Sequence, residues 1–302
     1  MVNELFNAAI WEKAWMDDPT AMGNKMKKMG MDTTHFDLKA VAFNKEVFSE
    51  GGRQRSERII GWLEGQGVNF ENISVLDVGA ASGGFTVPFA ERGARVTAVE
   101  PNIPLGDLLL ENTKQFNQEQ VELVREPFEH IDIAARGWIN AFDLVFVSMC
   151  PVVVDWASVE RVLSCARQFC YISGIAGRME HGLVNELLPL LTGRELHAAS
   201  SDMAYLNHLL YLKGYSFESL ITQEMKSAEF TIETAIEEAM QGLKPHDVTL
   251  DEVSRKIVLD YMHRTYPDNK VVIRQGGRFG KVLIRLQEQN MYSRAAAVKA
   301  TI

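Results

Sequence analysis

The stretch Val75-Leu76-Asp77-Val78-Gly79-Ala80-Ala81-Ser82-Gly83-Gly84-Phe85 decides the fold. A short apolar run ends in a glycine-rich turn, and a helical stretch, Phe85–Arg92, opens behind it. Gly79 lets the chain turn sharply, because glycine takes left-handed backbone without a Cβ penalty. The small residues Ala81 and Gly83 let a ligand approach the backbone, and the first turn of the new helix offers N–H groups with no intrahelical partner. A tight turn that binds nothing can have the same sequence, so this segment alone leaves both readings open.

The next strand, Val96–Val99, ends in Glu100, roughly 20 residues past the glycines, where doubly wound nucleotide sites hold ribose hydroxyls with a carboxylate. An exposed acid at a strand end is common, but the two features together are less so. Further β-rich runs fall at Val121–Arg125, Phe142–Ser148 and Phe169–Ile175, with helical stretches at Leu105–Phe116 and Val159–Ala166 between them. Alternating strand and helix predicts a parallel sheet covered on both faces. The consecutive apolar residues Leu144-Val145-Phe146-Val147 fit a strand buried on both sides.

Outward from this core, residues 1–70 read as a helical N-terminal cap. Leu5, Phe6, Ile10, Trp11 and Trp15 recur at helical spacing, Met22, Met26 and Met29 continue it, and Ile59, Ile60 and Leu63 line a helix over Arg53–Glu64. Residues 71–302 form the main domain, with a helical insertion at about 228–266 made of Ile232–Met240 and Leu250–His263, broken at Lys244-Pro245. Leu183–Leu191 and Ala204–Leu212 read as helices and Phe217–Gln223 as a strand. Val271–Arg274 and Lys281–Leu286 read as a hairpin around Gly276-Gly277-Arg278-Phe279-Gly280, and the tail Ala295–Ile302 as frayed.

The 302 residues are 46% hydrophobic and 24% charged, the balance of a globular protein with a large core. A net charge of −9 argues against nucleic acid as partner, since phosphate binding needs a basic footprint. Cys150, Cys165 and Cys170 have no zinc spacing, the histidines are scattered, and no metal site is expected. No apolar run approaches the roughly 20 residues of a membrane span, and no basic stretch precedes an apolar one at the N-terminus. These readings point to a cytoplasmic protein with reduced thiols. A homodimer stays open.

The string Val-Leu-Asp-Val-Gly-Ala-Ala-Ser-Gly-Gly, followed by Val99-Glu100-Pro101, resembles the cofactor site of class I S-adenosylmethionine-dependent methyltransferases over roughly residues 50–225. The resemblance implies an α/β fold, a Rossmann-like, doubly wound, mostly parallel seven-stranded sheet, and S-adenosylmethionine as cofactor with S-adenosylhomocysteine as product. It implies that Asp77 lies near the sulfonium and amino-acid end, and that Gly79, Ala81 and Gly83 line the methionine and ribose. By the same resemblance Glu100 binds the ribose hydroxyls, and Pro101, Asn102, Glu126, Pro127 and Phe128 flank the adenine. Ser148 and Met149, in Ser148-Met149-Cys150-Pro151, occupy the slot between cofactor and substrate.

Two departures matter. Ala81 replaces the middle glycine of the usual G-x-G-x-G. The Ser-Met-Cys-Pro stretch also differs from the signature of enzymes that methylate planar amino groups. An NAD-dependent oxidoreductase is a rival, since Gly79, Ala81 and Gly84 nearly complete G-x-G-x-x-G, but Asp77 stands where such enzymes carry an apolar residue. An RNA 2′-O-methyltransferase is another, but Asp143–Cys150 lacks the lysine that such chemistry needs.

The resemblance builds the acceptor pocket from the cap, the segment after the fourth strand and the stretch after the fifth. Those supply Trp11, Trp15, Phe36, Phe43, Met149, Tyr205, His208 and Tyr211, each of which also fits plain core packing. The aromatic content suggests a small-molecule acceptor. His208 is the candidate base, with Asp155 and Asp202 behind it. Arg53, Arg55 and Arg58 are either a solvated face or a contact for an acidic substrate or phosphate.

Overall fold

The computed structural model describes residues 2–30, 33–193, 202–243, 248 and 251–287. The Lys244-Pro245 break and the tail Ala295–Ile302 lie outside them. The chain begins with helices α1 (Val2–Leu5), α2 (Ala8–Asp17) and α3 (Met22–Met29). A 3-10 segment over Thr33–Lys39 and helices α4 (Ala40–Val47) and α5 (Glu50–Gly65) follow. Ser49 caps α5 by accepting from the Gly52 amide at 3.1 Å. The alternating part comprises β1 (Ser74–Val78), α6 (Thr86–Glu91), β2 (Arg95–Val99), α7 (Ile103–Asn112), β3 (Val121–Val124), β4 (Phe142–Ser148), α8 (Trp156–Cys165) and β5 (Ala166–His181). After it come α9 (Gly182–Thr192), α10 (Asp202–Leu212), β6 (Ser216–Phe230), α11 (Ile232–Leu243), α12 (Glu252–Thr265) and β7 (Val271–Arg285).

The strands form a seven-stranded sheet in the order β3-β2-β1-β4-β5-β7-β6, and β3 through β5 pair in parallel. The order reverses between β1 and β4. In open α/β sheets such a reversal leaves a crevice outside the carboxyl ends of the two strands, where ligands bind. The fold class read from the sequence is therefore the observed one. No helix among the described residues is long and apolar enough to cross a membrane.

The chain divides into two compact units. The first holds residues 1–174, 202–220 and 281–302, and so includes the N-terminal helices together with β1 to β4. Its core packs Ile60 and Leu63 of α5 and Phe89 of α6 against Val75, Leu144, Phe146 and Tyr171. Stacked and edge-on rings join Phe70, Phe89, Phe146 and Tyr171, with centroids 4.5 to 5.0 Å apart. The second unit holds residues 175–201 and 221–280, with its own core of Leu183, Leu187, Ala235, Ala239, Val258 and Met262 from α9, α11 and α12. The insertion expected at 228–266 falls within it.

The hairpin expected around Gly276 is replaced by the single strand β7. Its glycines serve close approach. A Cβ on Gly276 would overlap the Glu224 carbonyl oxygen and lie 2.9 Å from Met225 Cα, both in β6. Strands β5 and β6 likewise run past the limits that the apolar runs marked.

At the amino end of the sheet, Asp143 is an anchor. It accepts from the Ser74 amide at 2.9 Å and the Ser74 hydroxyl at 2.9 Å, from Arg167 Nε and Nη2 at 3.0 and 2.7 Å, and from Gln168 at 2.6 Å. Burial pushes its carboxyl up, but these donors outweigh burial and hold it below the ordinary value. A lowered carboxylate stabilises the fold above its unfolded pKa, and that contribution is lost as pH falls through the folded pKa. Asp143→Ala is expected to cost about 2 kcal/mol of stability at neutral pH, with the deficit vanishing in acid. Urea denaturation at pH values on both sides of 4 checks this, and an equal deficit at both would refute it.

Candidate functional site

β1 delivers Asp77 to the carboxyl edge of the sheet, and the chain then turns through Gly79 (φ 74°), Ala81 (φ 49°) and Gly83 (φ 91°) into α6. A non-glycine residue in left-handed backbone costs roughly 1–2 kcal/mol and needs support. Ala81 has it, because its amide donates to Glu100 Oε2 at 2.8 Å. The other oxygen of Glu100 accepts from the Asn102 amide at 2.8 Å. The carboxylate after β2 thus fixes the turn after β1 and keeps lone pairs for further donors.

Asp77 and Glu100 are both buried, at 2% and 6% exposure. Burial, opposed by a 2.6 Å hydrogen bond from the Thr86 hydroxyl and assisted by the charge on Glu100, pushes Asp77 up to about 7. Burial also raises Glu100, against the two amides that favour its charged form. The pair is short of positive charge and of donors. A ligand that brings a cation and hydroxyl groups meets that need. The Ser82 hydroxyl, fully buried in the same turn, has no partner among the described residues. Thr86 was not singled out in the sequence, although its place in the first turn of α6 marks it as a partner for a carboxylate at the end of β1.

β4 ends opposite, at Ser148, and Met149 follows in left-handed backbone (φ 53°) with 44% of its surface exposed. Cys150 then comes to lie on Gly79. A Cβ added to Gly79 would stand 2.9 Å from Cys150 Cβ and closer still to its sulfur. The ends of β1 and β4 therefore meet at the strand-order reversal through a glycine and a thiol. Burial pushes the Cys150 thiol up to about 12, with Glu100, Asp77 and Glu129 adding negative charge around it. It stays a neutral thiol rather than a nucleophile.

The N-terminal segment covers the rim of this turn. Asn102 caps α7 by accepting from the Leu105 amide at 2.9 Å. Its amide group donates to the Thr33 carbonyl at 2.7 Å and to Asp37 at 2.6 Å. Asn112 joins Asn44 of α4 to the Ser82 carbonyl, at 2.8 and 2.9 Å. Val47 of α4 sits where a Cβ on Gly84 would be. The side chain of Asn102, expected beside an adenine, thus spends its groups on holding the 3-10 segment and α7, and Pro101 lies between it and Glu100. In the segment after β3, Glu126 pairs with Arg136 at 3.0 Å. Pro127 is half-buried, and the Phe128 ring is buried beneath the Arg161 guanidinium.

Of the residues expected to build the acceptor pocket, Trp11, Trp15, Tyr205 and His208 come together where α2 meets α10. Trp15 is fully buried, donates to Asp202 at 2.7 Å and stacks on Tyr205 at 5.9 Å. The Tyr205 hydroxyl donates to Asp18 at 3.2 Å. His208 bonds the Leu5 carbonyl at 3.1 Å and lies edge-on to Trp11 at 4.1 Å. These contacts pack α2 against α10. Asp155 caps α8, and Asp202 also accepts from the Met22 amide. Phe43 lies half-buried against Phe36, and Tyr211 is exposed. No group of His, Cys, Asp or Glu among the described residues could hold a metal ion.

Residues 76–176 match the family described as methyltransferase domain. Comparison with curated protein sequences gives no match. Among solved structures, the chain is similar to magnesium protoporphyrin IX methyltransferase from Synechocystis PCC 6803 with bound S-adenosylmethionine. The two are 14% identical, the alignment covers 66% of this chain and 92% of that one, and the TM-score is 0.45. It is also similar to 1,6-didemethyltoxoflavin-N1-methyltransferase from Burkholderia thailandensis, bound to its substrate and S-adenosylhomocysteine (16% identity, 85% and 87% coverage, TM-score 0.46). A third is phosphoethanolamine N-methyltransferase 2 from Haemonchus contortus (13% identity, 89% and 60% coverage, TM-score 0.48). The matched segment runs from β1 into β5, across the reversal of strand order.

Proposed function

We propose that the chain binds S-adenosylmethionine over the Gly79–Gly83 turn and transfers its methyl group to a small-molecule acceptor in the cytoplasm. The observation that supports this most is the buried carboxylate pair Asp77 and Glu100 around a turn with left-handed backbone at Gly79, Ala81 and Gly83. Glu100, anchored by two amides, would take the ribose hydroxyls on its remaining lone pairs. Asp77, held by Thr86, would face the cationic end. Ser148 and Met149 would stand between cofactor and acceptor.

When bound, S-adenosylmethionine supplies a methyl group on a cationic sulfur that is already strongly electrophilic. The work left to the chain is orientation and exclusion of water, which together account for several orders of magnitude in rate. The Asp77–Thr86 and Glu100–Ala81 hydrogen bonds fix the carboxylates before any ligand arrives. An acceptor that presents a lone pair needs no base. His208, committed to Leu5 and Trp11, is given no role in proton transfer.

The pH dependence tests the reading. Asp77 has a folded pKa raised to about 7. Its ionisation therefore costs free-protein stability as pH rises from about 4 to about 7. A cation beside it favours the charged form. The ratio of S-adenosylmethionine to S-adenosylhomocysteine affinity should then rise as pH is raised through about 7, because the two ligands differ only in the charged sulfur and its methyl. Asp77→Asn should flatten the rise. Paired calorimetric titrations at about pH 6 and about pH 8 measure it, and a ratio independent of pH in the unmodified protein would remove Asp77 from the cationic end.

A further inference from the structure

An open sheet has two edge strands, and each presents N–H and C=O groups that another strand can take up. The two edges of this sheet differ. β3 is four residues long, with Val121 and Val124 buried. β6 closes the other side with 15 residues, none of them buried. It holds neither proline nor glycine to interrupt pairing, and among the described residues no strand lies on its far side. The stretch Ile221–Phe230 of β6 belongs to the second compact unit, as does Gly276 of β7.

The position of β7 shows which backbone groups of β6 face the open edge. Arg285 reaches Glu218 and Lys270 reaches Glu229, so the two strands run antiparallel. A Cβ on Gly276 would overlap the Glu224 carbonyl oxygen and lie 2.9 Å from Met225 Cα, so the Glu224 carbonyl is turned to β7. Hydrogen-bonding direction alternates along such a strand, which turns Gln223, Met225 and Ser227 outward. Glu224 and Lys226 flank Met225, are exposed, and share one side of the strand. The Glu224 carboxylate meets only the Thr222 hydroxyl, at 3.5 Å, and Lys226 has no carboxylate partner among the described residues.

A charge on an edge strand ordinarily keeps other strands away. This pair of charges does the opposite when the strand meets its own copy. We propose that two copies of the chain join antiparallel through Ile221–Glu229 of β6, about a two-fold axis at Met225. Met225 then exchanges both backbone hydrogen bonds with the partner's Met225, and Gln223 does so with the partner's Ser227. Glu224 stands opposite the partner's Lys226, and Lys226 opposite the partner's Glu224. Both are non-hydrogen-bonded positions, where opposed side chains come closest. Sliding the copies by two residues one way sets Glu224 against itself, and the other way sets Lys226 against itself. The charges therefore select one register, and the alternation of backbone groups permits it.

Sedimentation of the full chain over a concentration series tests this without any cofactor. The parent should be dimeric at about 100 µM and dissociate on dilution, as a small interface does. Lys226→Glu and Glu224→Lys each set like charges opposite one another twice, and each should weaken the dimer at least about tenfold while keeping the circular dichroism of the parent. Mixed in equal amounts, the two variants should form a heterodimer within about threefold of the parent's affinity, because both Glu–Lys contacts return. A parent that stays monomeric at about 100 µM would overturn the proposal, leaving the edge solvated or covered by its own chain. A dimer that neither variant weakens would place the interface elsewhere. Variants that remain apart on mixing would overturn the register.

Discussion

Gly79→Ala is expected to destabilise the protein by about 2–4 kcal/mol and to abolish measurable S-adenosylhomocysteine binding. Two costs add. The backbone at residue 79 is left-handed, with φ 74°, where alanine is strained. The new methyl would also stand 2.9 Å from Cys150 Cβ and closer to its sulfur. Cys150 cannot retreat cheaply, because Met149 before it is itself in left-handed backbone and its amide is tied to the Ser173 carbonyl at 3.0 Å. The clash is separable from the strain. Adding Cys150→Gly to Gly79→Ala should recover roughly half of the lost stability, whereas Cys150→Gly alone should cost little. Thermal denaturation of the four proteins closes the cycle. Additive effects would show that the glycine and the thiol do not meet.

Glu100→Ala should lower S-adenosylhomocysteine affinity by roughly 10²- to 10³-fold. The carboxylate holds the Ala81 amide and the Asn102 amide, one on each oxygen. Its removal leaves two buried N–H groups without partners, at about 1–3 kcal/mol each, and releases Ala81 from a backbone conformation that it does not hold alone. Glu100→Gln keeps one acceptor oxygen and should fall between the two. If Glu100→Gln binds as tightly as the parent, the charge has no part in holding the ligand, and the carboxylate serves only to shape the turn.

The parts of the fold that were legible are those set by local sequence. β1, its glycine turn and α6 follow from eleven consecutive residues, and Glu100 follows from the length of one helix and one strand. The parts that were not depend on partners far along the chain. Trp15 and Tyr205 are spaced like pocket residues, and their stacking joins helices about 190 residues apart, which no local pattern shows. Asn102 reads as a helix cap and is one, but its second task, holding Thr33 and Asp37, cannot be seen from its neighbours. Gly276 and Gly277 read as a turn because glycine marks both turns and close strand approach, and only the position of Glu224 in the adjoining strand decides between them. The Cys150–Gly79 contact, which closes the reversal point, had no sequence signal beyond the small size of both residues.

The central claim is that the Asp77–Glu100 turn holds the adenosyl cofactor of a methyltransferase. Calorimetric titration of the purified protein with S-adenosylhomocysteine, with NADH as control, tests it most directly. The account predicts micromolar binding of S-adenosylhomocysteine and none of NADH. Binding of NADH alone would contradict it and give the turn to a nicotinamide dinucleotide.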